Sequence, residues 1–114
     1  MYVRCAYFEG SVDPANQAEF DGCALNELGP GIAKVPGCRD SRILFGREYQ
    51  ADAPPFYMMV EHYYDSLDTL KAALETDQVA VNRKAMERVM PLFKGRVTHI
   101  NHEARIFPTQ VDEA

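Results

Sequence analysis

The side chains best suited to chemistry lie in a run of strand-forming residues, 56–64. His62 is the one titratable group on a face that it shares with Val60 and Tyr64, because alternate residues of a strand point the same way. Burial lowers the pKa of a histidine and keeps the ring neutral, which is the form that a general base requires. His62 could therefore remove a proton next to a carbonyl, with Tyr64 or Ser41 as hydrogen-bond donor to a substrate oxygen.

A second interpretation of His62 is structural. Buried polar groups are normally satisfied by a neighbour and mostly do no chemistry, so His62 could be a core histidine bonded to a backbone carbonyl or to a helix side chain. The two interpretations differ in an observable way. A catalytic His62 should titrate abnormally and line an accessible cavity, whereas a structural His62 should be fully packed.

The other reactive residues form no recognisable site. His99 and His102 are three apart in the last predicted strand, where alternation directs them to opposite faces, so they cannot converge on one metal ion. Cys5, Cys23 and Cys38 are unclustered, which argues against a zinc ribbon or a disulfide scaffold and favours a reducing, cytoplasmic location. No phosphate-binding glycine loop is present. The sequence therefore implies neither a metal nor a cofactor.

Composition limits the size and the partners. The 114 residues are 46% hydrophobic and 25% charged, which predicts one globular domain spanning residues 1–114, with its core at about 2–107. The net charge of −5 argues against nucleic acid and anionic membranes as partners. No apolar run is long enough to span a membrane, and the N-terminus does not resemble a signal peptide.

The predicted elements follow the order strand, helix, strand, strand, helix pair, strand. The strands are expected at residues 2–8, 39–47, 56–64 and 96–107. The first helix starts at Asp13-Pro14 and is interrupted at residues 29–31. Ser66 caps the next helix, and the last helix follows Asp77 and ends in a loose turn at Pro91. A polar tail is expected at residues 108–114. This order predicts an α+β, ferredoxin-like sandwich, with helices on one face of a four-stranded antiparallel sheet.

The open face of this sheet is expected to meet a second copy of the chain. On the third strand it would carry four residues, Tyr57, Met59, Glu61 and Tyr63. A face exposed to water should be more polar than this set, so we expect a homodimer that packs sheet on sheet. In that interface Glu61 could pair with Arg4, Arg42 or Arg105, since a buried carboxylate requires a partner.

Three motifs resemble those of EthD-like proteins. The run FYMMVEHYYDSLDTL at residues 56–70 is similar to their third strand and following helix, VPG at 35–37 to their LPG turn, and PPF at 54–56 to the segment before the central strand. The resemblance covers roughly residues 2–107 and implies a dimeric α/β barrel. This superfamily includes isomerases, polyketide cyclases, cofactor-free monooxygenases and stress-responsive proteins, so the fold does not fix the function.

The resemblance also implies a hydrophobic small-molecule pocket between the helices and the sheet. By register, the pocket-facing residues would be Leu28, Ser41, Val60, His62 and Tyr64. The acid and base groups of related isomerases and cyclases are not retained: the positions of the isomerase histidine and tyrosine correspond to Leu28 and Ser41 here. Two functions follow: a small cofactor-free isomerase, cyclase or oxygenase-like enzyme acting on a hydrophobic cyclic or aromatic metabolite, or a non-catalytic ligand-binding or stress-responsive barrel.

Overall fold

The computed structural model describes residues 1–109, which form a four-stranded sheet with helices on one face. The strands are β1 (Tyr2–Val12), β2 (Asp40–Phe45), β3 (Phe56–Tyr64) and β4 (Phe93–Glu103), and the helices are α1 (Gln17–Cys23), α2 (Gly29–Ala33), α3 (Leu67–Ala73) and α4 (Asp77–Glu87). All pairings are antiparallel, in the order β2-β3-β1-β4. The α+β, ferredoxin-like prediction is confirmed. No helix within residues 1–109 has the length and apolar character needed to cross a membrane.

The register between β1 and β3 decides which side chains face the helices. Residues directly opposite each other in an antiparallel pair share a face. On the helix side the opposed pairs are Arg4–His62, Ala6–Val60 and Phe8–Met58. On the open side they are Val3–Tyr63, Cys5–Glu61 and Tyr7–Met59. His62 therefore points toward the helices, as its alternation with Val60 predicts.

A bulge in β3 overturns the predicted direction of Tyr57. The register shifts so that Phe8 pairs with Met58 while the next residue of β1, Glu9, pairs with Phe56, which leaves Tyr57 as an extra residue. Such an insertion interrupts strict alternation. The Tyr57 ring consequently lies 5.7 Å from that of Phe20 in α1, on the helix side rather than on the open face.

The first helix continues through the predicted interruption at residues 29–31. A 3-10 turn, Pro14–Asn16, leads into α1, and a π turn, Ala24–Leu28, joins α1 to α2. In this turn the Gly29 N–H donates to the carbonyl of Ala24, five residues back. Pro30 lies in the first turn of α2, where a residue without an N–H is tolerated, so the helical path continues past the proline. The expectation of a break was wrong for this reason.

The boundaries of three strands also differ from the prediction. β1 does not end at residue 8 but continues to Val12, because Gly10 and the two residues after it still pair with β4. β2 covers only Asp40–Phe45, and β4 begins at Phe93, before the expected start at residue 96, and ends at Glu103. Helical spacing of apolar residues extends to Phe93, but Pro91 lies in a 3-10 turn, Met90–Leu92, that leads directly into β4. The predicted cap of α3 is confirmed, because Ser66 Oγ accepts from the Thr69 N–H at 3.1 Å. Residues 110–114 of the expected polar tail lie outside the described part.

Two clusters of buried side chains lie between the sheet and the helices. The larger contains stacked Phe20 and Phe93, whose ring centroids are 5.8 Å apart, with Phe8 edge-on to both. The smaller surrounds Tyr64 and Leu70, which are both fully buried. Burial of an aromatic or large aliphatic side chain contributes roughly 1.5–3 kcal/mol, so these clusters fix how the helices sit on the sheet.

Candidate functional site

A cavity of about 350 Å³ opens between the helices and the sheet. Its apolar wall includes six residues from both layers, Phe8, Leu28, Ile32, Val60, Val79 and Met86. The volume lies at the lower end of the range of small-molecule sites, and an apolar wall with a few polar groups is their usual composition. The cavity is therefore suited to a compact, largely apolar ligand.

His62 and Tyr64 form a hydrogen-bonded pair at this cavity. His62 lines it, whereas Tyr64 is fully buried beneath, two residues along β3. His62 Nδ1 and Tyr64 Oη are 2.6 Å apart, and the two rings meet edge-on at 71°. Because Nδ1 is occupied by Tyr64, the other ring nitrogen, Nε2, is the one available to a ligand.

Both members of the pair are neutral at pH 7. Burial first, then the positive charge of Arg4 and the neighbouring His99, lowers the pKa of His62 from 6.5 to about 4. Burial, followed by the nearby Cys38 sulfur, raises the pKa of the Tyr64 hydroxyl. One proton therefore lies along the bond between the two rings, and its position decides whether Nε2 is a donor or a base.

The cavity also has a charged zone that sequence reasoning missed. Arg4 of β1 and Arg83 of α4 reach it from opposite layers, together with His99 of β4 and Glu87 of α4. The Arg4 guanidinium donates to Asn101 Oδ1 at 3.0 Å. The site thus combines an apolar wall with cationic side chains.

Asn82 of α4 is another polar residue of the cavity wall, and it is 7% exposed. Its Oδ1 accepts from Gln78 Nε2 at 2.9 Å, which fixes the orientation of the amide. Gly31 of α2 makes room for it, because a Cβ at that position would overlap the Asn82 amide. The contact between α2 and α4 thereby positions a polar group in the cavity wall.

Solved structures resemble this chain over nearly its whole length. An EthD family protein from Bacillus halodurans C-125 has a TM-score of 0.71 and 26% identity, with 92% of this chain and 99% of that chain covered. The resemblance to EthD-like proteins is confirmed. No protein-family model and no curated protein sequence matches.

Two further structures show the same fold at lower identity. SnoaB, a cofactor-independent oxygenase from Streptomyces nogalater, is 16% identical, with a TM-score of 0.60, over 96% of this chain and 95% of its own. A dimeric ferredoxin-like protein of unknown function from Thermobifida fusca YX is 14% identical, with a TM-score of 0.63, over 90% of each chain. The EthD-like fold of this chain is thus found in an oxygenase and in a dimeric protein.

The structure places the five predicted site residues at different depths. Leu28, Val60 and His62 line the cavity, as the register predicts. Tyr64 lies behind His62 and contacts its ring rather than the cavity space. Ser41 is the register partner of His62 on β2 and is half-buried, but it is not part of the cavity wall.

Strand alternation could have revealed one missed residue. Arg4 precedes Ala6 and Phe8 by two and four positions, so it shares their helix-facing side. Its predicted pairing with Glu61 in the dimer interface is wrong for this reason. Asn82 and Arg83 follow Val79 by three and four residues, so helical spacing places them on the apolar stripe of α4. Their polarity conceals this signal, because a polar residue on an amphipathic helix usually indicates the solvent side.

The open face of the sheet carries polar pairs and exposed apolar side chains. Tyr63 Oη donates to Glu61 at 2.8 Å, and the Arg42 guanidinium carbon lies 5.4 Å from the centre of the Tyr63 ring. Leu44 and Ile100 are 43% and 48% exposed. His102 lies on this face and His99 on the other, as predicted, because they pair with Val3 and Ala6. The face is therefore a mixture of apolar surface and satisfied polar groups.

Proposed function

We propose that this protein is a small enzyme that needs no cofactor and acts on a hydrophobic cyclic or aromatic metabolite, as an isomerase, cyclase or oxygenase-like catalyst. The observation that carries the proposal is that His62 is neutral and lines the cavity, while its Nδ1 is hydrogen-bonded to the buried Tyr64 hydroxyl. Abnormal titration and an accessible cavity are the properties that distinguish a catalytic histidine from a packed one.

A chain of hydrogen bonds makes His62 a base. The Cys38 thiol donates to the Asp40 carbonyl at 3.3 Å, so its sulfur can accept from the Tyr64 hydroxyl beside it. In the proposed scheme the Tyr64 oxygen accepts from the Nδ1–H of His62, whose ring nitrogen lies 2.6 Å away. This direction leaves a lone pair on Nε2 toward the cavity. Nε2 removes a proton next to a carbonyl or from a phenol of the substrate, and the electron pair stays on the substrate as an enolate or phenolate.

The low pKa of His62 defines which protons it can remove. At neutral pH the ring is almost entirely in its unprotonated form, but a group with a pKa of about 4 is a weak base. The substrate proton must therefore be acidified, as it is next to a carbonyl or on an aromatic ring with electron-withdrawing groups. Tyr64 positions His62 and does not contact the substrate in this scheme.

The proposal includes a homodimer in which two open sheet faces pack together. It is supported by the exposed Leu44 and Ile100 and by the dimeric ferredoxin-like relative. Glu61 enters the interface already bonded to Tyr63, which reduces the cost of burying its carboxylate. A cytoplasmic location is also part of the proposal, and Cys5, Cys23 and Cys38 are all free thiols.

The test begins with a thermal-shift screen of lactones, cyclic ketones, phenols and aromatic acids, because a ligand that binds only the folded state raises the melting temperature. Each hit is then incubated with the protein in D₂O, and exchange of the acidified C–H is followed by NMR. We expect the protein to accelerate exchange and His62→Gln to slow it by about 10²-fold or more. His102→Gln, on the opposite face, is the control and should exchange normally.

The same experiment tests the alternative, a non-catalytic binding or stress-responsive barrel. That alternative is supported by the Tyr64 contact, which satisfies His62 as a core histidine would be satisfied. Ligand binding without any proton exchange or turnover would contradict the enzyme proposal and support the binding role. A screen without a single hit would count against the enzyme proposal and favour the non-catalytic, dimer-based role.

A further inference from the structure

The charged zone of the cavity contains two guanidinium groups that lack a carboxylate partner among residues 1–109. Five ion pairs occur in this part of the chain, and they involve other cations, Arg39, Arg88, Lys94, Arg96 and Arg105. Arg4 and Arg83 both line the cavity instead. Both side chains thus border a space that a ligand would fill.

Glu87 is the carboxylate that faces the same zone. It lies four residues after Arg83 on α4, on the same side of the helix, and also lines the cavity. No ion pair links Glu87 to Arg83 or Arg4 within residues 1–109. The zone therefore keeps an excess of positive charge, although the chain as a whole carries a net charge of −5.

The electrostatic effects of the two arginines reach the other groups of the zone. Burial comes first in lowering the pKa of His99, and Arg4 and Arg83 follow. Burial also lowers the pKa of Arg4, with a smaller contribution from Arg83. The charged form of Arg4 is thus destabilised mainly by loss of water and, to a smaller extent, by Arg83, while Tyr64 acts in the opposite direction. A bound anion would relieve both effects at once.

We propose that the ligand of this cavity carries a carboxylate or a comparable planar anionic group that Arg4 and Arg83 bind from opposite layers. The inference rests on the proposed function and specifies its substrate class: an apolar ring that bears an acidic group. Guanidinium groups suit this role because their planar N–H pairs match the two oxygens of a carboxylate. The ring occupies the apolar wall around Val60 and Met86, and Nε2 of His62 faces it.

The experiment compares two probes of nearly the same shape, naphthalene-2-carboxylate and naphthalene-2-carboxamide, by calorimetric titration at pH 7.5. We expect the carboxylate to bind at least tenfold more tightly, since hydrogen bonds to charged groups are worth more than neutral ones. Arg83→Gln should weaken the carboxylate by about ten- to hundredfold and leave the carboxamide within twofold. Arg83→Lys keeps the charge and should restore part of the loss.

Lys84→Gln is the matched control, because Lys84 is an exposed cation next to Arg83 that does not line the cavity. Arg83 is exposed too, so its variants should fold, and Arg4→Gln provides a second variant from the sheet side. Equal binding of the two probes, or equal effects of Arg83→Gln and Lys84→Gln, would overturn the anion proposal alone. Failure of both probes to bind folded protein at millimolar concentration would overturn the anion proposal together with the cavity's proposed function.

Proton binding gives an independent readout. A carboxylate placed among the cationic groups should raise the pKa of His62 and His99, and the carboxamide should not. The two values are followed by NMR of the imidazole rings with and without each probe. An unchanged pKa for both histidines in the carboxylate complex would place the acidic group away from Arg4 and Arg83 and so contradict the proposal.

Discussion

Replacing Tyr64 by phenylalanine removes one oxygen from the centre of the proposed proton chain. Tyr64 is fully buried, and its hydroxyl contacts His62 Nδ1 at 2.6 Å. The phenyl ring keeps the packing, so the loss is that of a buried hydrogen bond with one polar partner left unsatisfied. Such losses cost about 1–3 kcal/mol, which corresponds to a decrease in melting temperature of several degrees for a domain of this size.

Tyr49→Phe is the control for stability. The Tyr49 hydroxyl also makes a 2.6 Å bond, to the Phe56 carbonyl, but Tyr49 is 48% exposed. Water can replace a bond at such a site, so we expect less than about 1 kcal/mol. Both values are measured by urea unfolding. Equal costs for the two variants would refute the claim that Tyr64 satisfies an otherwise unpaired His62.

The same variant tests the direction of the proton chain. If Nδ1–H donates to Tyr64, the bond stabilises both charge states of His62, and its loss in Tyr64→Phe should leave the pKa of His62 low or lower it further. If Tyr64 donates to Nδ1, the bond stabilises only the neutral ring, and its loss should raise that pKa. Nitrogen NMR also reports which ring nitrogen carries the proton. A raised pKa, or a proton on Nε2 in the unmodified protein, would refute the assignment of Nε2 as base.

Three further predictions concern stability and assembly. The folded-state pKa of His62 is lowered from 6.5 to about 4, so the folded protein binds fewer protons than the unfolded chain between these values. The contribution of His62 to the free energy of unfolding, up to about 3 kcal/mol, should be complete above pH 6.5 and be lost as the pH falls toward 4. The free energy of unfolding of His62→Gln should lack this part of the pH dependence. Gly31→Ala should destabilise by about 1–3 kcal/mol because the new Cβ overlaps Asn82, whereas Gly22→Ala, in α1 with open space, should be neutral or stabilising. Light scattering should give twice the chain mass of 12.9 kDa for the unmodified protein and a smaller value for Ile100→Lys, and a monomeric parent would refute the sheet-on-sheet dimer.

The element order and the direction of His62 could be predicted because they depend on local patterns. Strands with apolar alternation, a Ser66 cap and a proline after α4 each act within a few residues. Tyr57 and the π turn could not be predicted in this way. A bulge is defined by how a strand pairs with its neighbour, and a π turn by a backbone hydrogen bond to the carbonyl five residues back. Neither leaves a regular period in the sequence.

Apart from Leu28 on the facing helix, the site was predicted only where a single strand determines it. Val60 and His62 belong to one alternating run, and both line the cavity. Arg83 and Asn82 enter the cavity because α4 packs against α2 at Gly31, and this packing depends on residues about fifty positions apart in the sequence. Helical spacing places both residues on the stripe of Val79 and Met86, but it does not show that the space they face is a cavity.

The π turn at Ala24–Leu28 has a consequence for how this cavity could change over evolutionary time. A π turn holds one residue more than the α-helical turn it replaces, and one residue corresponds to a rotation of about 100°. Leu28 and Ile32 lie in and after this turn, and both line the cavity. Deletion of a single codon within the turn would therefore rotate the following helix and present a different set of side chains to the ligand, while the sheet and its base stay in place. Insertion and deletion at this point offer a route to new ligand preference that needs no substitution in the sheet.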